Sequence, residues 1–138
     1  MTAQPAHTTV VGVLPTVAYA TNAELGAAAA VEAAEILRAA VAERGVANAI
    51  LATGNSQLTF LNAIRETPGI PWDRINLFHM DEYINLPAGH PASFPAFLRR
   101  HLIDAVKPKA FFPVRADGDV EAACREYEAL LREYPADL

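Results

Sequence analysis

One cysteine in 138 residues, Cys124, excludes a disulfide framework and a thiolate zinc cluster. Lys and Arg are missing from the start of the chain: none precedes Arg38, so the basic n-region of a secretory leader is not there. No apolar run approaches the ~20 residues that a bilayer-spanning helix needs. The run Val10–Leu14 stops at Pro15, and the alanine-rich stretch after Ala23 is interrupted by Glu24, Glu32, Glu35 and Arg38. Basic side chains are outnumbered 16 to 11, for a formal net charge of −5. A chain without clustered Lys and Arg is a poor match for the phosphates of nucleic acid. The sequence also lacks repeats, low-complexity tracts and linkers. These absences point to a cytosolic protein that takes neither nucleic acid nor membrane as its partner.

What is present suits one globular domain. Hydrophobic residues make up 52% and charged residues 20%, too apolar for intrinsic disorder. The length fits the ~100–150 residues of a common domain, and a chain this size can bury roughly two thirds of its unfolded surface. Charge is unevenly placed. Residues 1–116 carry nine acids and nine bases, whereas residues 117–138 carry seven acids and two bases. That acidic end reads as a solvated helix face, with Glu121–Arg125 and Glu128–Arg132 spaced as i,i+4 pairs.

The hydrophobic pattern alternates helix with short strand. Residues 1–9 read as a loose lead-in and Val10–Leu14 as a short edge strand. A helix is predicted over Asn22–Arg44, capped by Thr21 or Asn22 and ended by Gly45, with Leu25, Ala29, Ile36, Leu37 and Ala40 facing inward. Ala49–Thr53 reads as a buried strand and Gln57–Glu66 as a helix with Leu58, Leu61 and Ile64 inward. The turn at Pro68-Gly69-Ile70-Pro71 ends that helix. Ile75–Met80 is a second strand. A helix over Ser93–Val106 follows, with Phe94, Phe97, Leu98, Leu102 and Ala105 on one side. Ala110–Val114 is a third strand that Pro113 weakens or confines to an edge. Val120, Ala123, Cys124, Tyr127, Leu130, Leu131 and Tyr134 keep a 3.6-residue period, which places Cys124 in the core. Ala136-Asp137-Leu138 looks like the start of another strand. The alternation predicts an α/β domain with a mainly parallel sheet flanked by helices. Such sheets bind ligands beyond the carboxyl ends of their strands, which directs attention to the loops after Thr53 and Met80.

The first loop is Thr53-Gly54-Asn55-Ser56-Gln57. A helix N-terminus presents unpaired N–H groups to an anion, and Gly54 removes a Cβ from its path. Thr53 and Ser56 can add hydroxyl donors, and Asn55 tolerates a left-handed backbone. An ordinary strand-to-helix turn with Ser56 as cap fits the same residues. A Walker loop does not, because no lysine follows the glycine at the required spacing.

The second loop is His79-Met80-Asp81-Glu82-Tyr83. Adjacent carboxylates repel, and burial would penalise ionising both. One could act as a base while the other hydrogen-bonds nearby backbone; a solvated acidic turn is the plain alternative. His79 reads as satisfied strand structure or as a participant. A metal site from His79, Asp81 and Glu82 lacks a clear fourth ligand. His90-Pro91-Ala92-Ser93 forms a turn with Ser93 as helix cap, and Arg99-Arg100-His101 lie on a solvated helix side, within reach of a phosphate or a neighbouring subunit in the alternative reading.

Taken in order, Leu51-Ala52-Thr53-Gly54-Asn55-Ser56, then Asn76-Leu77-Phe78-His79-Met80-Asp81-Glu82-Tyr83-Ile84-Asn85-Leu86-Pro87, then His90-Pro91-Ala92-Ser93, resemble the glucosamine-6-phosphate deaminase (isomerase) family. The likeness runs from about Ile50 to Tyr134 and includes Glu121-Ala122-Ala123-Cys124-Arg125-Glu126-Tyr127-Glu128. It implies a Rossmann-like fold and conversion of glucosamine 6-phosphate to fructose 6-phosphate and ammonia by ring opening, proton transfer between C2 and C1 through an enol, and loss of the amine. By that resemblance Asp81 moves the proton and Glu82 supports it. Thr53, Gly54, Asn55 and Ser56 form the phosphate loop. No organic cofactor or metal is implied, since the substrate's own carbonyl or imine is the electron sink.

Two departures from the family pattern stand out. Asn55 occupies the place of a second glycine, and a glycine-rich Asp-Gly-His-type segment that supplies the ring-opening histidine is not among these 138 residues. The chain is therefore expected to be the amino-terminal part (1–138) of one α/β domain, incomplete at the carboxyl end. A half-domain of that kind would expose apolar sheet surface and tend to associate with copies of itself. The rival readings are a 6-phosphogluconolactonase and a sugar-phosphate-binding module without chemistry. Tyr83 and Leu86-Pro87 favour the deaminase over the lactonase. A flavodoxin-type nucleotide binder is disfavoured, because Asp81 and Glu82 would repel a phosphate.

Overall fold

Thr21 and Gly45 set the limits of the longest element. Thr21 Oγ1 accepts the Glu24 N–H at 3.2 Å while the Glu24 carboxylate accepts the Thr21 N–H at 2.9 Å, a reciprocal cap at the start of α1 (Asn22–Arg44). Gly45 closes the other end in a left-handed conformation, φ 78°. These details come from a computed structural model that describes residues 3–87 and 89–138. Met1 and Thr2 of the expected lead-in lie outside the described residues.

The rest of the lead-in is not loose. His7–Val11 (β1) and Leu14–Ala18 (β2) form an antiparallel hairpin around a Gly12-Val13 turn, with Val10 opposite Pro15. The predicted edge strand Val10–Leu14 thus spans the turn instead of running through it. The β-branched residues Thr8, Thr9, Val10, Val11, Thr16 and Val17 favour extended backbone, and every residue of both strands is exposed.

Ala47–Leu51 (β3), Ile75–His79 (β4) and Ala110–Phe112 (β5) make a parallel sheet with β4 in the centre. β3 lies two residues earlier than the sequence suggests, because it starts directly after the Gly45 cap and Ala52-Thr53 leave the ladder. β5 ends before Pro113, which offers no N–H to a ladder. Leu58–Glu66 (α2) follows a short 3-10 turn at Asn55–Gln57. The third helical stretch starts as α3 (Phe94–Leu98), with Ser93 Oγ accepting the Ala96 N–H. It passes through a π turn at Arg99–Ile103 and ends as α4 (Asp104–Val106). The π turn adds a residue to one turn and shifts the helical phase. Leu102 and Ile103 therefore point inward, whereas Ala105, expected on that side, is exposed.

One apolar cluster joins α1, α2, the π turn and one face of the sheet. α1 buries Gly26, Ala30, Ala33, Ala34, Leu37, Ala40 and Val41. Leu37 and Ala40 were expected there; Leu25 is instead 47% exposed, and Ala29 and Ile36 are half-buried. The small residues win because α1 and α2 approach closely: a Cβ on Gly26 would stand 2.7 Å from the Thr59 carbonyl carbon of α2.

Val120–Glu133 (α5), capped by Asp119, serves the other face, where Phe78 stacks on Phe112 at 4.9 Å and meets Tyr127 edge-on at 6.1 Å. Ala123 is buried, but Cys124 is exposed and not core, because the first half of α5 borders an open cavity rather than the sheet. Glu128–Arg132 pair as expected at 2.6 Å; Glu121 and Arg125, the other expected pair, form no ion pair among the described residues, and Glu126 is engaged by Arg115 at 3.1 Å. Beyond α5 the chain returns to β3: Leu138 O accepts the Ile50 N–H at 2.8 Å and Asp137 Oδ2 accepts the Asn48 N–H at 2.9 Å. Ala136–Leu138 thus lies along β3 through these bonds without forming a further strand of the sheet. Asn48 and Asn76 are buried on adjacent strands: Asn76 Nδ2 donates to Asn48 Oδ1 at 2.9 Å, and Asn48 Nδ2 donates to Pro135 O at 3.0 Å.

Tyr127 ties the carboxyl ends of β4 and β5 together. Its hydroxyl accepts the His79 N–H at 3.0 Å and donates to His79 O at 2.8 Å, with Phe112 O at 3.2 Å as a second acceptor. Burial raises the phenol above its ordinary value of 10.0, so it stays protonated and able to donate.

Tyr127→Phe keeps the ring and strips these bonds, leaving partly buried backbone groups unpaired. A loss of ~1–3 kcal/mol in denaturant unfolding is expected. Gly26→Ala sets a helix-propensity gain of about 1 kcal/mol against an overpacking cost of ~1–3 kcal/mol. Because the clash is with backbone, net destabilisation is expected, read as a lower denaturation midpoint at unchanged m-value.

Candidate active site

The register of β3 on β4 brings the two loops side by side. Leu51 pairs with His79, so Thr53 and Asp81 each stand two residues beyond the last paired position, on neighbouring strands about 4.8 Å apart. Both loops leave the carboxyl end of the sheet, where α/β folds place their ligands.

In the first loop Gly54 has φ 107° and ψ 171°, a conformation reserved almost wholly for glycine. It turns the chain from β3 into the 3-10 turn, where the Gln57 N–H donates to Gly54 O at 3.0 Å. Ser56 does not cap α2; neither the short turn nor α2 has a side-chain cap. The hydroxyl is exposed, and its bonded neighbour is Gln57 Nε2 at 3.4 Å. Asn55 is exposed, and Thr53 and Gly54 are half-buried. The loop therefore offers N–H and hydroxyl donors to an anion without a capping side chain in competition.

The adjacent carboxylates divide their roles. Glu82 is half-buried and accepts the N–H of Tyr83 at 2.9 Å and of Phe94, the first residue of α3, at 3.1 Å. A carboxylate at a helix start is stabilised by the unpaired N–H groups there. Asp81 is exposed, and its carboxylate receives no hydrogen bond from the described residues. Asp81 and Glu82 line a cavity of about 460 Å³ with Met80, Tyr83, Cys124 and Tyr127. Ser56 and Gln57 line a different one of about 540 Å³, between α1, β3 and Leu138. The structure thus brings the loops to one end of the sheet without enclosing them in one cavity.

Sequence reasoning left His79 as plain structure or participant, and missed its partners. His79 has no exposed surface, and its Nε2 accepts the Val114 N–H at 2.8 Å. Burial lowers its pKa below the ordinary 6.5, against the opposing pull of the Glu82 carboxylate, the Asp81 backbone and the Asp81 carboxylate. Val114 and Tyr127 lie 35 and 48 residues from His79, beyond any local pattern. Ser93 caps α3 as expected, while Arg99 sits 5.4 Å over the Phe111 ring and Arg100 is exposed. Among the described residues, no helix is long and apolar enough to cross a membrane.

Comparison with known proteins identifies the family and supports the fold. The family model for glucosamine-6-phosphate isomerases/6-phosphogluconolactonase matches residues 20–137. A glucosamine-6-phosphate deaminase of Geobacillus sp. (strain WCH70) is 34% identical over 106 residues, covering 72% of this chain and 42% of its own length. The fold superposes on a monomeric glucosamine-6-phosphate deaminase with a TM-score of 0.71 at 24% identity, over 82% of this chain and 48% of that one. It superposes on a 6-phosphogluconolactonase from Shewanella baltica OS155 with a TM-score of 0.72 at 23% identity, over 83% and 49%. The chain spans less than half the length of each of these proteins. By the extent of the family match, carried by a parallel sheet with both loops at its carboxyl end, this chain belongs to the glucosamine-6-phosphate isomerase/6-phosphogluconolactonase family.

Proposed function

We propose that this chain carries the phosphate loop and the proton-transfer carboxylate of an amino-sugar-phosphate deaminase, acting on glucosamine 6-phosphate. The observation that supports it best is the unequal state of the two carboxylates. Glu82 is committed to the start of α3, whereas Asp81 follows the strand paired with the one that leads into the Gly54 loop, its oxygens without a hydrogen bond from the described residues. The loop N–H groups and the Thr53 and Ser56 hydroxyls bind the 6-phosphate, and Asn55 replaces a glycine of the family loop. Asp81 takes the proton from C2 of the ring-opened sugar as the C1 carbonyl becomes an enol. It returns that proton to C1, which leaves an imine at C2; water adds there and ammonia departs, giving fructose 6-phosphate. Glu82 positions the backbone from which Asp81 projects. Ring opening needs a further acid–base group that this reading does not assign to the 138 residues.

The curated relatives at 34% and 36% identity, both glucosamine-6-phosphate deaminases, support this reaction over lactone hydrolysis. Ammonia release from glucosamine 6-phosphate is the activity expected of the full-length protein, not of these 138 residues alone; hydrolysis of 6-phosphogluconolactone without ammonia would overturn the reading, and sugar-phosphate binding without turnover would make the protein a binding module. Asp81→Asn is expected to lower turnover ~10²–10⁴-fold, the size of a lost acid–base group, while binding persists in calorimetry. Ser56→Ala should weaken binding about 10–100-fold, in line with the ~1.5–3 kcal/mol of one hydrogen bond to a charged group, with the proton-transfer step intact.

A further inference from the structure

His79 has no part in the chemistry above, yet it is the most constrained polar side chain at this end of the sheet. Its backbone N–H and C=O both meet the Tyr127 hydroxyl. Its Nε2 accepts the Val114 N–H, and its Nδ1 is buried with no partner among the described residues. A neutral imidazole that accepts at Nε2 carries its proton on Nδ1, and an imidazolium has no lone pair left to accept with. The Val114 bond therefore exists in one tautomer of one protonation state.

The bond belongs to a longer strap. Two residues past Val114, Ala116 O accepts the Asn85 N–H at 2.9 Å. The loop that carries Asp81 is thus fastened to the segment after β5 at two points, through the His79 ring before it and through Asn85 after it. Glu82 adds a third fastening, to the start of α3. Around the ring stand the Asp81 and Glu82 carboxylates on the following loop and the Tyr127 hydroxyl on α5. Phe111 of β5 is 5.8 Å away, with the Arg99 guanidinium over its ring.

We propose that His79 is the positioning residue for Asp81: its neutral ring clamps Val114 to the last residue of β4 and so fixes the backbone from which the proton-transfer carboxylate leaves the sheet. The part of this that concerns catalysis rests on the reading of Asp81 given above; the clamp itself does not. Protonation breaks the clamp. Because burial holds the folded-state value below the ordinary 6.5, the unfolded chain takes up the proton first as pH falls. The clamp's contribution to stability is full above that ordinary value and is lost as pH drops through the window beneath it.

Two variants separate the clamp from mere packing. His79→Gln offers an amide oxygen to the Val114 N–H and does not titrate; His79→Phe keeps a flat ring and accepts nothing. Nitrogen-15 spectra of the protein at neutral pH should show the proton on Nδ1, with the Val114 and Asn85 amides slow to exchange with solvent. That protection should fall on acidification below about 6.5 in the unaltered protein, persist at acid pH in His79→Gln, and be missing at every pH in His79→Phe. In ammonia release, His79→Phe should lower kcat by roughly 10²-fold, the effect of a misplaced reacting group, with KM little changed and with recovery in His79→Gln. A proton on Nε2, or Val114 and Asn85 amides that exchange no faster in His79→Phe than in the unaltered protein, would overturn the proposal. Should His79→Phe fail to fold, the tautomer and the pH response of the unaltered protein and His79→Gln decide it. Absence of ammonia release from the unaltered full-length protein would instead sink the reaction assigned above and leave the clamp to be judged by exchange alone.

Discussion

The pairing of β3 with β4 in one register is the constraint from which the site follows. With Leu51 opposite His79, the glycine loop and the acidic loop leave the sheet side by side. A slip of one residue would turn Asn48 and Asn76 away from each other and break the buried hydrogen bond from Asn76 Nδ2 to Asn48 Oδ1. The register is held locally by that polar pair and globally by the apolar cluster shared by α1, α2 and the sheet. The return of Asp137 and Leu138 to the outer edge of β3 adds hydrogen bonds that a shifted strand could not make.

Electrostatics at the strand ends has the same economy. Two neighbouring carboxylates are tolerated because one is satisfied by backbone N–H groups at the start of α3 and the other stands in solvent. The Gly54 loop offers donors of the opposite character on the next strand. A ligand with an anion at one end and an acidic C–H a few bonds away suits such a pair, and a sugar 6-phosphate has that form.

Features written in short stretches of chain were legible in the sequence. Thr21, Gly45 and Ser93 mark helix limits through caps that involve residues three or four apart, and both candidate loops were found as turns between strand and helix. The choice between the two carboxylates was legible as a pair of alternatives; the N–H of Phe94, twelve residues from Glu82, settles which one is occupied by backbone. Other features depend on packing. The alanine-rich α1 has little contrast between its faces, so the inward stripe is set by the close approach at Gly26 and not by the larger Leu25. The π turn moves Ala105 outward, and Gly12 folds an apparent strand into a hairpin. Tyr127 looked like one more apolar position of α5, because its hydroxyl finds its partners across the sheet ends.

The central claim is that one substrate molecule spans both loops. It is tested most directly by a crystal structure of the protein with an open-chain 2-amino sugar 6-phosphate. The account predicts the phosphate against the N–H groups of residues 54–56 and C2 about 3–3.5 Å from an Asp81 carboxylate oxygen, the distance of a group poised to react. A phosphate bound elsewhere, or an Asp81 carboxylate separated from C2 by solvent, would contradict it.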